Sequence, residues 1–441
     1  MRRGSVLTAS GIALLLLSAA AVPAAGQQAP LRLSLDEVIA RAEEANLRVA
    51  ELRARAEGAA ASVQVREAAS RPLVAVLGGY TRTNHVDEFT IALPNQPVRP
   101  LYPDVPDNYR ARIDLQWPIY TAGRLAALSR AASAERDASG FDMQAARLDV
   151  RLEATRAFWA LVTASQTQAV VAQSVTTLDA HLRDLRSRLE QGLIPPNEVL
   201  SAEAQRSRQQ LLAIEARNLA AVARADLRRV IGEDSGRDVE PIVPDDSQTA
   251  AATAPLDSPR SRPERRALAS RVEGAREREA AVAATARPQV GVGAGYDYAR
   301  PNPRIFPRLD AWRESWDLSV NVSWTLWDGG RRHGEAAEAA AAIRALQARS
   351  ADFDRQLAFE LEQRRLDLDS AVAAIAAAGD GLRAAVEARR VVGERFAAGV
   401  ATSSDVLDAE TALLQAGLDR TRATANARLA VARLERTAGQ P

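Results

Sequence analysis

Residues capable of enzyme chemistry are sparse in this sequence and are not grouped. The three histidines are His85, His181 and His333, and no spacing between them is typical of metal ligands. We expect an ordinary surface role for each, with His85 in a loop. Cysteine is absent, which excludes thiol catalysis, disulfides, cysteine metal sites and a lipid anchor attached to an N-terminal cysteine.

Glycine-rich motifs give no cofactor site either. The sequence has no Gly-x-x-x-x-Gly-Lys-Ser/Thr loop and no Gly-x-Ser-x-Gly elbow. Gly291, Gly293 and Gly295 are spaced two apart, but they fall inside a strand pattern, where small residues would face a crowded interior. We therefore predict that the chain is not an enzyme and that it holds neither a metal nor a cofactor.

The composition argues against nucleic acid as a partner. The 57 basic residues, all arginine, nearly balance 56 acidic ones, so the net charge is only +1. Hydrophobic residues make up 47% of the chain and aromatics only 4%. A chain rich in Ala, Leu, Arg and Glu favours long helices over a thick globular core.

The N-terminus has the pattern of a secretory signal. Arg2 and Arg3 precede an apolar run at 12–22, and small residues follow at 24–26. We predict that residues 1–26 are a signal peptide, cleaved after Ala24 or Gly26. The run is too short for a spanning helix, which needs about 20 apolar residues. The mature chain should therefore be exported.

The sequence contains an internal duplication. Residues 71–80 (RPLVAVLGGY) resemble residues 287–296 (RPQVGVGAGY), 216 positions later. Residues 117–124 (WPIYTAGR) resemble residues 324–331 (WTLWDGGR), 207 positions later. The offset falls by nine between the two motifs, so one loop in the first half should be nine residues longer. A repeat of this length indicates two copies of one structural unit.

Both halves have the same predicted order of helix, β-hairpin, long helix, tip and shorter helix. In the first half (27–232) the expected bounds are 34–70, 72–120, 121–191, 192–197 and 198–231. In the second half (263–441) they are 263–286, 288–327, 329–397, 398–403 and 404–437. Residues 233–262 contain several prolines and should form an irregular linker at the equator of the molecule.

The hairpins have the pattern of membrane strands. From Trp316 to Leu326 apolar and polar residues alternate without a break, and Gln289–Tyr298 alternates similarly. About ten alternating residues with aromatics near the strand ends are typical of a transmembrane barrel, although a half-buried soluble sheet alternates too. Four strands cannot close a barrel, so membrane strands would require an oligomer.

The long helices exceed the size of a globular domain. No proline lies between Ile119 and Ile194, and a helix of this length would span roughly 105 Å. Leu178, Leu182, Leu185 and Leu189 follow heptad spacing, which is typical of coiled coils. The predicted fold is mainly α, with a long coiled-coil barrel of helices and membrane β-strands.

The duplicated unit resembles the TolC-type outer membrane efflux proteins over nearly the whole mature chain. The most specific segment is 396–410 (FAAGVATSSDVLDAE), which looks like the second periplasmic tip of that family. Residues 191–200 (QGLIPPNEVL) match the first tip. The resemblance implies a homotrimer with a twelve-stranded barrel in the outer membrane and twelve helices forming a tunnel through the periplasm.

The resemblance also implies a function and partners. The chain would be a passive channel subunit of a tripartite efflux or type I secretion system. A periplasmic adaptor and an inner membrane pump of the RND or ABC class would contact it, and lipid of the outer membrane would surround its barrel. The cargo and the pump class are not indicated.

The tips carry the candidate site residues Gly192, Glu198, Gly399, Asp405 and Asp408. Asp405 and Asp408 match the positions at which the family places acidic rings, and such rings attract cations and respond to pH. Asp405 could equally serve its own helix, because Thr402 or Ser403 is a natural N-cap. Some relatives close the tip with an arginine, but here that position is Ala401, facing the acid position Glu198.

Two other functions remain open at this point. A periplasmic adaptor also has helical hairpins, but it would normally have one hairpin, a small β-domain and an anchor. A soluble exported coiled-coil protein would explain the helices but neither the duplication nor the inserted strands.

Overall fold

The computed structural model of the protein describes residues 30–92, 94, 97–233, 237–243 and 262–440. The predicted signal peptide and its cleavage site lie outside the described residues, as do most of the predicted linker and Pro441.

Seven helices account for most of the described chain. They are α1 (Leu35–Ala45), α2 (Leu47–Ala68), α3 (Arg124–Glu190), α4 (Pro196–Val230), α5 (Pro263–Ala284), α6 (Arg331–Ala397) and α7 (Ser403–Ala438). The helices α3 and α6 have 67 residues each, so each spans about 100 Å. Among the described residues, none of the helices has an apolar stretch long enough to cross a membrane.

The helix expected at 34–70 is interrupted, which corrects the prediction. Asn46 adopts an extended conformation between α1 and α2, and its side-chain oxygen accepts hydrogen bonds from the backbone N–H groups of Arg48 and Val49 at 2.9 and 3.2 Å. A short polar side chain at this position competes with the helical hydrogen bonds and caps a new helix instead. The segment therefore forms two helices instead of one.

The predicted hairpins form one antiparallel sheet. Its strands are β2 (Leu73–Arg82), β5 (Asp107–Tyr120), β7 (Gln289–Arg300) and β8 (Arg313–Ser323), in the order β2-β5-β7-β8. The two hairpins are joined through β5 and β7, with Arg112 opposite Asp297 and Ile113 opposite Tyr296. The strands β2 and β8 are therefore edges of this sheet within the described part of the chain.

The predicted alternation gives the sheet one apolar and one polar face. Trp316, Leu318, Val320 and Val322 of β8 are all exposed, Trp316 by 73%. Between them lie Asp317 and Ser319, on the face that also carries Arg112 and Asp297. A sheet with a large exposed apolar face needs an apolar surrounding, such as lipid, on that side.

The strand β8 ends at Ser323, so the alternation predicted to continue through Leu326 is wrong beyond that point. Trp324 turns back to the preceding helix instead, and its indole N–H donates to the carbonyl of Ala286 at 3.0 Å. In the first half the indole N–H of Trp117 donates to the carbonyl of Ser70 at 3.2 Å. The duplicated tryptophans thus tie each outgoing strand to the end of its incoming helix.

The extra length of the first-half loop forms a small hairpin that the sequence did not reveal. Its strands are β3 (Phe89–Ile91) and β4 (Arg99–Tyr102), which pair antiparallel between β2 and β5. Nearby, Trp312 stacks on Tyr298 with ring centroids 5.0 Å apart, and Tyr109 lies between Trp312 and Tyr80. These exposed rings mark one rim of the apolar face.

The predicted linker is partly ordered, contrary to the expectation of an irregular segment. The strand β6 (Val239–Pro241) pairs in parallel with β1 (Leu31–Leu33), which precedes α1. Leu33 and Val239 are buried in a core with Phe158, Leu161 and Leu227. This core fastens both ends of the first repeat to the middle of α3.

Candidate functional site

The two tips are tight turns that end the longest helices. Gly192 follows α3 with φ of 72°, and Gly399 follows α6 with φ of 75°. In each turn the next N–H bonds back to the helix: Leu193 to the carbonyl of Arg188, and Val400 to that of Arg395, both at 2.9 Å. This is a Schellman motif, in which a glycine in the left-handed backbone conformation ends the helix. The two halves therefore reverse direction in the same way.

The helices that leave the tips start differently. The helix α4 begins at Pro196, two residues before the expected start, because the fixed φ of proline suits the first helical position. Pro195 precedes it in an extended conformation and gives no side-chain cap. The helix α7 begins at Ser403 after a capping box formed by Thr402 and Asp405.

The capping box occupies the carboxylate of Asp405. The Thr402 backbone N–H donates to it at 2.8 Å and the Thr402 hydroxyl lies 2.9 Å away. These hydrogen bonds, first the backbone one, lower the pKa of Asp405 below its ordinary value, although the side chain is exposed. Asp408 lies three residues further along α7 and is also exposed. Glu198 is half-buried in the first turn of α4.

One apolar cluster, here called the tip core, joins the two tips. It brings α3, α4, α6 and α7 together, so all five predicted site residues lie at one end of the molecule. Its buried members are Leu178, Leu182, Leu185, Val199, Ala202, Phe396, Val406 and Leu407. Ala401, at the position where some relatives have arginine, packs half-buried against this cluster.

Ion pairs at this end lie on residues other than Glu198 and Ala401, the two positions of the lock found in some relatives. Within the described residues, no ion pair involves Glu198. Arg186 of α3 pairs with Glu203 of α4 at 2.7 Å, and Arg389 of α6 pairs with Glu410 of α7 at 2.8 Å. Each of these ion pairs joins two helices of the same repeat, α3 with α4 or α6 with α7. Neither ion pair joins one repeat to the other.

His181 is not the surface residue that the sequence predicted. Its ring lies 5.3 Å from that of Phe396, and its Nε2 is 3.1 Å from the hydroxyl of Ser403, the first residue of α7. Burial lowers the pKa of His181 below its ordinary value of 6.5. The sequence did not reveal this position. Heptad spacing predicts which residues face inward, but it does not predict that a histidine would contact the N-terminus of another helix.

A cluster of charged side chains lies on the polar face of the sheet. Arg112 contacts three carboxylates: Asp297, Asp114 at 2.8 Å and Asp317 at 3.0 Å. A Cβ added to Gly295 would overlap its guanidinium, and one added to Gly293 would lie 2.9 Å from the Ser319 hydroxyl. The polar face of the sheet is therefore crowded at Gly293 and Gly295, whereas at Gly291 an added Cβ would meet only the Trp117 carbonyl, at 3.6 Å. Nowhere in the described part of the chain do His, Asp and Glu form a group of three suited to a metal ion.

The match to known proteins covers both repeats. Residues 38–233 and 259–440 match the family described as "Outer membrane efflux protein". No curated protein matches the sequence.

Several solved structures share the fold. A membrane protein from Pseudomonas aeruginosa has a TM-score of 0.78 and 16% identity over 92% of this chain and 93% of that one. The outer membrane protein VceC from Vibrio cholerae has a TM-score of 0.76 and 19% identity over 92% and 96%. The open state of the MtrE outer membrane channel of Neisseria gonorrhoeae has a TM-score of 0.74 and 18% identity over 92% and 89%. Identities this low show the fold alone. The family match extends over most of the chain, and this chain therefore belongs to the outer membrane efflux protein family.

Proposed function

We propose that the chain is a passive duct subunit of a tripartite efflux system and that it has no enzymatic activity. The observation that carries this proposal is one continuous arrangement. The four-stranded sheet has an exposed apolar face, and its strands β5 and β8 are followed directly by α3 and α6. Each of these two helices is about 100 Å long. Such a subunit could contribute to both an outer membrane barrel and a tunnel beneath it.

The open edges of the sheet support a closed ring of subunits. In the order β2-β5-β7-β8 every neighbouring pair is antiparallel, so the two edge strands run in opposite directions. Pairing β8 of one copy with β2 of the next therefore keeps the whole barrel antiparallel. Three copies supply twelve strands, within the even-numbered range of outer membrane barrels. Two or four copies would also give an even number of strands, so the homotrimer that we infer rests on the resemblance to the TolC-type outer membrane efflux proteins.

The outer faces of the helices support the same assembly. Leu211 and Leu219 of α4 and Phe359 and Leu366 of α6 are exposed in the single chain. Leucine and phenylalanine side chains gain free energy when a neighbouring helix covers them. We infer that α6 of one copy packs beside α4 of the next, so that twelve helices enclose the duct.

The tips are the proposed periplasmic mouth and gate. Gly192 and Gly399 shape the turns, and Asp405, Asp408 and Glu198 would place carboxylates around a narrow opening in the trimer. Such rings attract cations. A periplasmic adaptor would contact this end, and an inner membrane pump of the RND or ABC class would supply the energy. The closing contact must differ from the arginine lock of some relatives, because Ala401 carries no charge.

The adaptor alternative is not favoured. An adaptor would have one helical hairpin and a separate small β-domain. This chain has two helical hairpins, α3 with α4 and α6 with α7, one in each repeat, and both repeats contribute strands to one sheet.

Membrane fractionation with a matched pair of variants tests the proposal. The protein should be recovered in the outer membrane as an oligomer that dissociates on heating in detergent, and should form channels in planar bilayers. Val320→Arg, on the apolar face, should reduce the assembled oligomer strongly, because arginine facing lipid costs about 2–4 kcal/mol. Asn321→Arg, on the polar face of the same strand, should be tolerated. Recovery in the soluble periplasm without an oligomer would refute the proposal.

A further inference from the structure

His181 occupies a junction of three helices beside the tip core. The histidine belongs to α3, its ring packs against Phe396 of α6, and its Nε2 is hydrogen-bonded to Ser403 at the start of α7. Ser403 is only 1% exposed, so this hydrogen bond lies inside the packed tip. No other histidine of the described chain bridges helices in this way, since His85 contacts Asp104 in a loop and His333 is exposed.

The surroundings of His181 disfavour its charged form. The N-terminus of α7 carries the positive end of the helix dipole, which repels an imidazolium. The charged groups that face the ring are Asp184 and Arg188 of α3, Arg389 of α6 and Glu410 of α7. Both acids are already ion-paired, Asp184 with Arg188 at 3.0 Å and Glu410 with Arg389 at 2.8 Å. Burial has the largest effect and lowers the pKa of His181. The two carboxylates raise this pKa and the two arginines lower it, and it stays below its ordinary value.

We propose that neutral His181 latches the first turn of α7 onto α3, and that protonation of this histidine releases the latch because it places a charge in the buried junction at the positive end of α7, so that mild acid loosens the second tip. The inference rests on the proposed function of the tips as the mouth of the duct. It assigns to that mouth a titrating group of ordinary pKa about 6.5, in addition to the carboxylates of the acidic rings.

The sign of the effect follows from the packing. In the docked tip burial keeps the pKa of His181 below 6.5, and undocking returns it to about that ordinary value. The undocked state therefore binds protons first as the pH falls. The contact between His181 and the start of α7 is at its most stable above the ordinary pKa of histidine, and it weakens as the pH drops below that value. It reaches its weakest level once the pH is below the lowered pKa.

The absence of cysteine in the natural sequence allows a direct measurement of tip opening. A single Val406→Cys reports on the tip core, because Val406 is only 9% exposed. Ser404→Cys, two residues away and exposed, corrects for the pH dependence of thiol chemistry. The readout is the ratio of their labelling rates by a membrane-impermeant thiol reagent, on the purified oligomer, at pH 5.5 and 7.5.

We expect this ratio to rise several-fold at pH 5.5, since each pKa unit regained on undocking corresponds to about a tenfold change in the equilibrium. His181→Gln keeps a hydrogen-bonding side chain but cannot titrate here, so its ratio should not change with pH. His333→Gln, at an exposed position, should retain the full response. If Val406→Cys fails to assemble, Leu407→Cys provides a second buried reporter in the same core.

Two results would overturn the latch: a pH-independent ratio in the parent protein, or an undiminished rise in His181→Gln. Exchange of the imidazole C2 hydrogen, followed by mass spectrometry, gives a second test in the intact oligomer. An ordinary pKa for His181 would also overturn it. Channel recording at pH 7.5 keeps the two proposals separate. A conducting oligomer with a pH-independent tip refutes only the latch, whereas an oligomer that never conducts refutes the duct itself.

Discussion

Thr402 and Asp405 bind each other reciprocally at the start of α7. The Thr402 backbone N–H donates to the Asp405 carboxylate at 2.8 Å, and the Asp405 backbone N–H donates to the Thr402 hydroxyl at 3.2 Å. One of the three carboxylates of the proposed mouth, Asp405, is therefore held by its own helix. Its orientation is fixed by the cap, while Asp408 is constrained only by its place on the helix.

The first prediction concerns ion selectivity. Asp405→Asn and Asp408→Asn should each reduce the cation preference of the channel, because each removes one negative charge per subunit from the mouth. The measurement is the reversal potential in a salt gradient across a planar bilayer. Thr402→Ala is the control, since it breaks the cap and keeps both charges. If Thr402→Ala lowers selectivity as much as Asp405→Asn, Asp405 acts through the cap and not through its charge.

The second prediction concerns the stability of the cap. Thr402→Ala should destabilise the first turn of α7 by about 1 kcal/mol and speed amide exchange in peptides that cover this turn. Ser404→Ala, at an exposed neighbouring position, should change little. Because hydrogen bonds lower the pKa of Asp405 below 3.8, the cap is fully present above that value and is lost only in stronger acid. Fraying of the parent protein at pH 5.5 would therefore not come from this cap.

The third prediction concerns the tip glycines. Gly192→Ala and Gly399→Ala should each destabilise the protein by about 1 kcal/mol, because φ near +70° is strained for any residue with a Cβ. No atom lies within 4 Å of either added Cβ, so the cost would be conformational and not steric. Thermal unfolding of the purified oligomer measures it. Gly381→Ala, inside α6 and also unobstructed, should be neutral or stabilising; equal losses at all three sites would contradict this account.

The fourth prediction concerns Gly295 and Arg112. Gly295→Ala should displace the Arg112 guanidinium from its carboxylates and lower the stability of the oligomer by about 2 kcal/mol, the usual worth of a hydrogen bond to a charged group. In an Arg112→Ala background the same change should cost little, because the obstacle is gone. The measurement is the temperature at which the oligomer dissociates in detergent, compared among the parent, the two single variants and the double variant as a double-mutant cycle. Gly78→Ala, with nothing within 4 Å, is the matched control, and additive losses would refute the coupling.

The broad fold could be predicted because its signals are periodic. Alternation over ten residues gave the sheet and its two faces, and the motif offsets gave the duplication. Strand ends were less predictable. The alternation through Leu326 continues in sequence, but β8 ends at Ser323, whereas β5 continues past the equivalent Trp117 to Tyr120. The parallel pairing of β1 with β6 joins residues about 200 positions apart and leaves no short-range signal.

The site was predictable only in outline. Gly192 and Gly399 are visible as breaks in long helices, and the capping role of Asp405 follows from Thr402 three residues earlier. The surroundings of His181 are different, because they depend on the packing of α3 against both α6 and α7. The sequence shows a polar residue on a helix and gives no indication of which neighbours cover it.

The unpaired edges of β2 and β8 also restrict how the protein can mature. A lone subunit in lipid would leave two rows of backbone groups without partners, at several kcal/mol for each unsatisfied group. In water, the same edges can pair with any extended chain that they meet. Ring closure must therefore precede or accompany insertion. Assembly should then depend steeply on subunit concentration, and a subunit that misses its partners becomes a substrate for proteolysis and aggregation.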